Sequence, residues 1–185
     1  RASGGCASHP AVTGAAPPST PGSAGRATAD LEAEYAAWLR GLWYRPDAAL
    51  AVRVDPGGGC WAGRAAPLLR QVFPGCQVQA IHDVPDGRFA ARSPDSSRPE
   101  HLRALARVVR DGAADIGLAF DGDGDRVSVL DESGRMLSAE ETAWLLIASF
   151  GDRWPGRLFV HDVKLSPRVA AAATARGGSA LAQRS

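Results

Sequence analysis

The chain has almost no lysine, few cysteines and no long apolar run, and these scarcities exclude several classes of protein. Its 185 residues contain 20 arginines but a single lysine, Lys164. The three cysteines, Cys6, Cys60 and Cys76, are odd in number and lack metal-site spacing, so we expect reduced thiols. No apolar stretch approaches the roughly 18 residues that span a bilayer. With a net charge of +1, nothing suggests nucleic acid or a membrane as partner, and we expect a cytoplasmic protein.

Composition and hydrophobic periodicity divide the chain into four segments. Residues 1–27 are rich in Ala, Gly, Ser and Pro without periodicity, which predicts disorder or the remnant of another domain. Residues 28–46 predict a linking helix, 47–152 an α/β domain, and 153–185 the beginning of a second α/β domain. Because strands alternate with helices, the expected fold is a mostly parallel mixed sheet with helices on both faces.

Local signals place the individual elements. Pro99 is a favourable first helical residue and Gly112 is placed to end that helix. Ser138 and Glu141 form a capping box, which predicts a helix through Phe150. Residues 132–134 predict a hairpin turn. The remaining predicted elements are a helical face of Leu31, Tyr35, Trp38, Leu39 and Leu42, strands at 49–54, 78–81, 116–120 and 158–160, and helices at 62–73 and after Ser166-Pro167.

The most informative feature is an acidic loop, Asp-Gly-Asp-Gly-Asp-Arg, at residues 121–126. In an extended strand, carboxylates at alternate positions would all point the same way and repel, whereas glycine lets the backbone bend until they converge. Convergent oxygen ligands favour Mg²⁺ or Ca²⁺ over softer metals. The arginine that follows, Arg126, indicates that an anion, which we expect to be a phosphate, also binds there.

Two other interpretations of the loop stay open. An acidic glycine-rich loop is often only a solvated turn. An EF-hand is the second, because Asp121, Asp123, Asp125 and Glu132 fall at loop positions 1, 3, 5 and 12. Against it, Arg126 stands where an EF-hand needs glycine, and the flanking residues resemble strands. The glycine run at 57–59 matches no nucleotide-binding motif, so it predicts a tight turn rather than a phosphate cradle.

The loop resembles the metal-binding loop of the α-D-phosphohexomutases, the phosphomannomutase and phosphoglucomutase group. Three other stretches are also similar to that family. They are the strand and glycine turn at 52–59, which resemble the opening of the family's second domain, the loop at 83–89 with 94–95, and residues 161–166 with 176–178, which resemble the start of the third domain. The resemblance implies the second domain of a phosphohexomutase with pieces of its neighbours.

The resemblance also implies a chemistry. In this family of isomerases, an active-site phosphoserine gives its phosphate to a hexose phosphate and receives the other phosphate back, so that phosphate moves between C1 and C6. Carried over to this chain, the roles are Mg²⁺ binding for Asp121, Asp123 and Asp125, phosphate contact for Arg126, and proximity to the transferring group for Lys164, with Asp162 placed to orient the lysine.

The single lysine and one serine are the further catalytic candidates. Lys164 supplies the only ammonium in an arginine-rich chain, and a lysine can lose its proton where a guanidinium cannot. Ser8 lies in Cys-Ala-Ser-His-Pro, which lacks the asparagine of the family's serine motif and is a weak match.

Two function hypotheses of different classes follow. The first is a phosphohexomutase, represented here by a fragment or a degenerate member that is inactive in isolation, with a hexose phosphate as substrate and the remaining mutase domains as partners. The second is a non-catalytic α/β module that keeps a metal site. Gly124 slightly favours the mannose and glucose mutases, since glucosamine mutases often have alanine there, but the sequence does not identify the sugar.

Overall fold

A mixed four-stranded sheet is the centre of the fold in the computed structural model, which describes residues 30–42, 49–150 and 155–184. Its strands stand in the order β2-β1-β3-β4; β1 is parallel to both β2 and β3, and β4 is antiparallel to β3. The strands are β1 (Ala51–Asp55), β2 (Gln77–Ala80), β3 (Ile116–Phe120) and β4 (Val127–Leu130). A separate parallel pair consists of β5 (Leu158–Asp162) and β6 (Ser179–Gln183).

Helices cover both faces of the four-stranded sheet, as the sequence predicts. On one face Ala65 and Ala66 pack against Val52 and Val54, and on the other Leu105 packs with neighbouring apolar residues against β3 and β4. The helices are α1 (Leu31–Leu42), α2 (Ala65–Val72), α3 (Arg103–Asp111), α4 (Ala139–Phe150) and α5 (Pro167–Thr174). The predicted fold class, an α/β protein with a mostly parallel mixed sheet, is therefore confirmed.

The predicted start and end of the helix that begins at Pro99 are confirmed. Pro99 opens a 3₁₀ turn, Pro99–Leu102, that continues into α3. Gly112 ends the helix with φ −92°. A Cβ at this position would lie 2.7 Å from Val108 O and 2.8 Å from Arg53 Nη2. Close approach, and not backbone handedness, therefore requires glycine here.

The capping box at the start of α4 is confirmed in detail. Ser138 N–H donates to Glu141 Oε2 at 2.7 Å, and Glu141 N–H donates to Ser138 Oγ at 3.1 Å. The predicted turn before it is also present, with Gly134 at φ +76°. The predicted cap of α5 is made by Ser166, whose Oγ accepts from Arg168 N–H at 3.3 Å.

Helix α4 packs against α5. Ala143 and Ile147 of α4 form one buried cluster with Val169, Ala172 and Ala173 of α5. This packing ties α4 to the later part of the chain, whereas the sequence grouped it with the preceding residues. The domain boundaries at 152 and 153 stay a prediction.

The apolar face predicted for α1 forms a helix, but most of it is exposed. Tyr35, Trp38 and Leu42 are 46%, 59% and 53% exposed, and Ala36 is the one fully buried residue of this helix. The periodicity therefore indicated the helix correctly, without indicating what covers it. No helix within the described parts of the chain has the length and apolarity to cross a membrane.

Candidate metal centre

The acidic loop forms the tip of a β-hairpin. Phe120, the last residue of β3, pairs with Val127, the first residue of β4, so that residues 121–126 connect two antiparallel strands. An EF-hand loop connects two helices. The EF-hand interpretation is therefore wrong for this loop. The tip lies at the carboxyl end of β3, where α/β sheets bind their ligands.

Three carboxylates converge at this tip. Oxygens of Asp121, Asp123 and Asp125 all lie within 4.8 Å of one another. Asp121 is buried, whereas Asp123 and Asp125 are exposed. The backbone of the loop fixes the Asp121 side chain, because Asp121 Oδ1 accepts the N–H of Gly124 at 3.0 Å and that of Arg126 at 3.1 Å. The loop thus folds around one buried carboxylate and brings two exposed ones to it.

The second oxygen of Asp121 is the best evidence that the cluster is built for a cation. Asp121 Oδ2 is buried and accepts no hydrogen bond from any described residue. Arg126 Nη2 lies 2.6 Å away without hydrogen-bond geometry, so this contact is an ion pair. The guanidinium offsets part of the cost of burying this carboxylate oxygen, and a bound cation would give it a further partner. The oxygen-only donor set fits a hard divalent ion such as Mg²⁺.

The charge state of the cluster is set by burial and by Arg126. Burial raises the pKa of Asp121, but the Arg126 backbone N–H, the Arg126 guanidinium and the other hydrogen bonds outweigh it, so the pKa lies below its usual value. Conversely, the negative charge of Asp121 raises the pKa of Arg126. Arg126 Nε also lies 3.3 Å from Asp125 Oδ1. Three carboxylates face one guanidinium, so the cluster carries a formal net negative charge that attracts a further cation.

The glycine turn at 57–59 is a tight turn, as predicted, and not a phosphate cradle. All three of its backbone N–H groups are already bonded within the protein. Gly57 donates to Asp55 Oδ1 at 2.8 Å, Gly58 to His82 O at 2.9 Å, and Gly59 to Pro56 O at 2.9 Å. No N–H group of these three glycines is left to bind phosphate.

The residues after this turn hold the acidic loop in place. Cys60 N–H donates to Gly122 O at 3.0 Å, and Cys60 Sγ lies 2.8 Å from Asp123 O. The indole Nε1 of Trp61 donates to Gly124 O at 3.1 Å. Three consecutive backbone carbonyls of the loop are therefore held by residues 60 and 61.

Close packing between turn and loop explains two of the glycines. A Cβ on Gly59 would lie 2.6 Å from Gly122 O, a contact that real Cβ atoms do not make. Gly124 has φ +76°, and a Cβ there would lie 2.2 Å from Trp61 Cδ1 and 2.7 Å from Cys60 Sγ. The glycine at 124 thus has a steric cause in this chain, independent of any substrate preference.

Sequence reasoning missed a buried charge cluster behind the loop. Asp55, the last residue of β1, is fully buried. Its Oδ2 accepts from Arg92 Nε at 2.9 Å, and its Oδ1 lies 3.1 Å from His82 Nδ1. Asp55 carried a usable signal, because a carboxylate at the carboxyl end of a buried strand is a site candidate. Arg92 and His82 carried none.

The other predicted catalytic residues are not joined to this site. Lys164 is exposed in the turn after β5, and no hydrogen bond or ion pair among the described residues links it to the acidic loop. Asp162 Oδ1 accepts the backbone N–H of Lys164 at 2.7 Å, so this contact fixes the turn and not the ammonium group. Ser8 lies outside the described residues.

Comparisons with known proteins agree with this geometry. Residues 39–134 match the family described as phosphoglucomutase/phosphomannomutase, alpha/beta/alpha domain II. The phosphomannomutase/phosphoglucomutase of Pseudomonas putida is 39% identical over 132 residues, which are 71% of this chain and 28% of that protein. The chain therefore spans less than a third of the length of this relative.

Solved structures show the same similarity. A phosphoglucomutase/phosphomannomutase family protein from Burkholderia thailandensis superposes with a TM-score of 0.71 at 29% identity, covering 84% of this chain and 33% of that one. A putative phosphomannomutase from Thermus thermophilus has a TM-score of 0.72 at 22% identity over 84% of this chain and 36% of that one, which shows the shared fold. Since the family match covers more than half of the residues and includes both the glycine turn and the acidic loop, the chain belongs to the phosphoglucomutase/phosphomannomutase family.

Proposed function

We propose that this chain provides the magnesium centre of a phosphohexomutase, which moves phosphate between C1 and C6 of a hexose phosphate through a phosphoserine. The observation that carries the proposal is the convergence of three carboxylate groups around the buried Asp121 Oδ2, which pairs with Arg126 but accepts no hydrogen bond from the described residues. The names of similar proteins also support the proposal, because the similar Pseudomonas proteins are called phosphomannomutase/phosphoglucomutase. We further propose that the site works together with the remaining domains of such an enzyme.

The proposed roles follow from chemistry and exposure. Asp121, Asp123 and Asp125 would hold Mg²⁺, which when bound neutralises negative charge on a transferring phosphoryl group. Arg126 is 63% exposed on its side chain and can turn from the carboxylates towards a phosphate oxygen. Lys164 would approach the transferring group, with Ser8 as a weak candidate for the nucleophile.

The metal affinity should be modest. Mg²⁺ prefers six oxygen ligands, and three protein carboxylates leave the remaining positions to water or to phosphate. Arg126 also competes for the same oxygens, since it lies 2.6 Å from Asp121 Oδ2. We therefore expect binding at millimolar rather than micromolar Mg²⁺ in the absence of phosphate.

The direct test is a Mg²⁺ titration followed by amide resonances. We expect Gly122 and Gly124 to shift in the wild type, and Asp123→Asn to weaken the response because it removes one anionic ligand. Asp111→Asn is the matched control, since it makes the same charge change at an exposed residue at the end of α3. Absence of any shift near the loop at millimolar Mg²⁺, or equal affinity in both variants, would contradict the proposed centre.

A further inference from the structure

The guanidinium of Arg92 joins the ends of two parallel strands directly behind the acidic loop. Its side chain is only 4% exposed. At the end of β1, Nε donates to Asp55 Oδ2 at 2.9 Å and Nη2 donates to Asp55 O at 3.0 Å. At the end of β3, Nη2 also donates to Phe120 O at 2.5 Å. Nη1 donates to Ser93 O at 2.8 Å, which anchors the group to its own loop.

The surroundings are shaped to admit this guanidinium. Gly57 has φ +60°, and a Cβ there would lie 2.5 Å from Arg92 Cζ. Asp55 supplies the compensating charge, and His82 contacts the other oxygen of the same carboxylate. A planar fork with donors on several sides can bridge two strands at once, whereas a lysine ammonium is a compact charge on a flexible stem.

The contact with Phe120 bears directly on the ligand that follows it. The Phe120 carbonyl and the Asp121 N–H belong to one planar peptide unit. Arg92 holds the oxygen of that unit, and Arg126 O accepts its N–H at 3.3 Å. The orientation of this peptide sets the direction in which the Asp121 side chain leaves the backbone. Of the two contacts, the one with Arg92 is the shorter.

We propose that Arg92 is a positioning residue for the metal centre, which fixes the Phe120–Asp121 peptide so that Asp121 Oδ2 points at the cation. The inference rests on the proposed magnesium site and adds a residue that touches neither metal nor substrate. Partners that orient metal ligands typically change affinity by about 10- to 100-fold when they are removed. A purely structural role, as the counter-ion of Asp55, would change folding stability without a specific effect on the loop.

The test compares Arg92→Lys with Leu105→Ala. The lysine variant keeps a positive charge near Asp55 but cannot bridge Asp55 and Phe120. Leu105 is fully buried in the cluster that α3 forms against β3 and β4, and no hydrogen bond or ion pair among the described residues joins it to the loop, so its truncation destabilises the fold through a cavity away from the loop. For both variants, the measurements are urea unfolding, Mg²⁺ titration by amide resonances, and hydrogen exchange of the Gly124 and Arg126 amides in the absence of metal.

We expect Arg92→Lys to raise the Mg²⁺ dissociation constant about tenfold, at the lower end of the effect of such partners. It should also speed exchange at Gly124 and Arg126, whose N–H groups bond to Asp121 Oδ1. Leu105→Ala should lower the free energy of unfolding. It should change neither the Mg²⁺ dissociation constant nor amide exchange at Gly124 and Arg126 beyond what that loss of stability explains. Unchanged affinity in Arg92→Lys, or an equal loss in both variants, would overturn the positioning role.

Two further outcomes separate this inference from the proposed function. If the wild type does not respond to Mg²⁺, the proposed centre fails, while the metal-free exchange data still decide whether Arg92 holds Asp121. If Arg92→Lys does not fold, the double variant Asp55→Asn with Arg92→Met removes both buried charges together. It should then show the same weakened affinity and faster exchange, and wild-type values in it would overturn the inference.

Discussion

Replacing Gly124 by alanine tests whether the acidic loop is shaped by contact with Trp61. Two costs add in this variant. An alanine at φ +76° lies in the left-handed region, which costs roughly 1–2 kcal/mol. Its Cβ would also overlap the indole, 2.2 Å from Cδ1. Overpacking of this kind costs typically about 1–3 kcal/mol. The indole cannot simply turn away, because it packs against Phe120 with ring centroids 5.6 Å apart and donates to Gly124 O.

The expected loss is therefore about 2–5 kcal/mol of the free energy of unfolding, the sum of the left-handed and overpacking terms. Domains of this size are stable by about 5–15 kcal/mol, so the variant should remain folded and measurable. Urea unfolding at neutral pH gives the difference directly, and a Mg²⁺ titration of the same sample reports whether the loop has moved.

Two comparisons make the result specific. Gly87→Ala is the matched control, because a Cβ at Gly87 has open space around it and its φ is not positive, so we expect no loss or a small gain. In a Trp61→Ala background, Gly124→Ala should cost less, because the overlap with the indole is gone while the backbone term and the contact with Cys60 Sγ remain. If Gly124→Ala costs the same with and without the indole, or costs nothing in the wild type, the steric explanation is wrong.

The remaining predictions concern the start of α4 and the activity of the chain. The backbone N–H of Ser138 and the side chain of Arg135 lower the pKa of Glu141. The folded state therefore binds a proton at Glu141 less readily than the unfolded state does. Folding stability is lost as the pH falls below the ordinary glutamate pKa near 4.3. Glu141→Gln keeps a capping residue but should make unfolding free energy less steep with pH between about 5 and 3, and an unchanged slope would contradict the assignment. In a coupled assay with mannose 1-phosphate or glucose 1-phosphate, Mg²⁺ and a bisphosphate activator, the activity of this chain alone should stay at background. Positioning supplies much of the rate of phosphoryl transfer, and the described contacts do not connect Lys164 to the loop. Sustained turnover that Ser8→Ala abolishes would contradict this prediction.

Elements with local causes could be predicted from the sequence. The capping box at Ser138 and Glu141 involves residues three apart, and both of its hydrogen bonds are formed. Pro99 began a helical segment for a reason that lies within a few residues of it. The convergence of Asp121, Asp123 and Asp125 was predictable for the same reason, because glycine between carboxylates limits the shapes that the loop can take.

Features that depend on partners distant in sequence were not predictable. The apolar periodicity of α1 indicated a helix but not the exposure of Trp38. The hairpin turn before α4 was predicted and is present, but the sequence did not indicate that the metal loop also closes a hairpin, because the pairing of Phe120 with Val127 depends on the sheet. The close approach of Arg53 to Gly112 was not predictable either, because nothing near Gly112 in the sequence indicates it.

Arg92 shows most clearly why a sequence motif can identify metal ligands without identifying the residues that orient them. It contacts Asp55 across 37 positions and Phe120 across 28, and it is one of 20 arginines in a chain that uses arginine for nearly every positive charge. A ligand set leaves a local pattern because the ion needs several oxygens at short range. The residue that orients one of those ligands needs only to reach a single peptide from any part of the chain. Such residues are therefore found by following the hydrogen bonds of the ligand's own backbone outward, which in this fold leads from Asp121 through Phe120 O to Arg92.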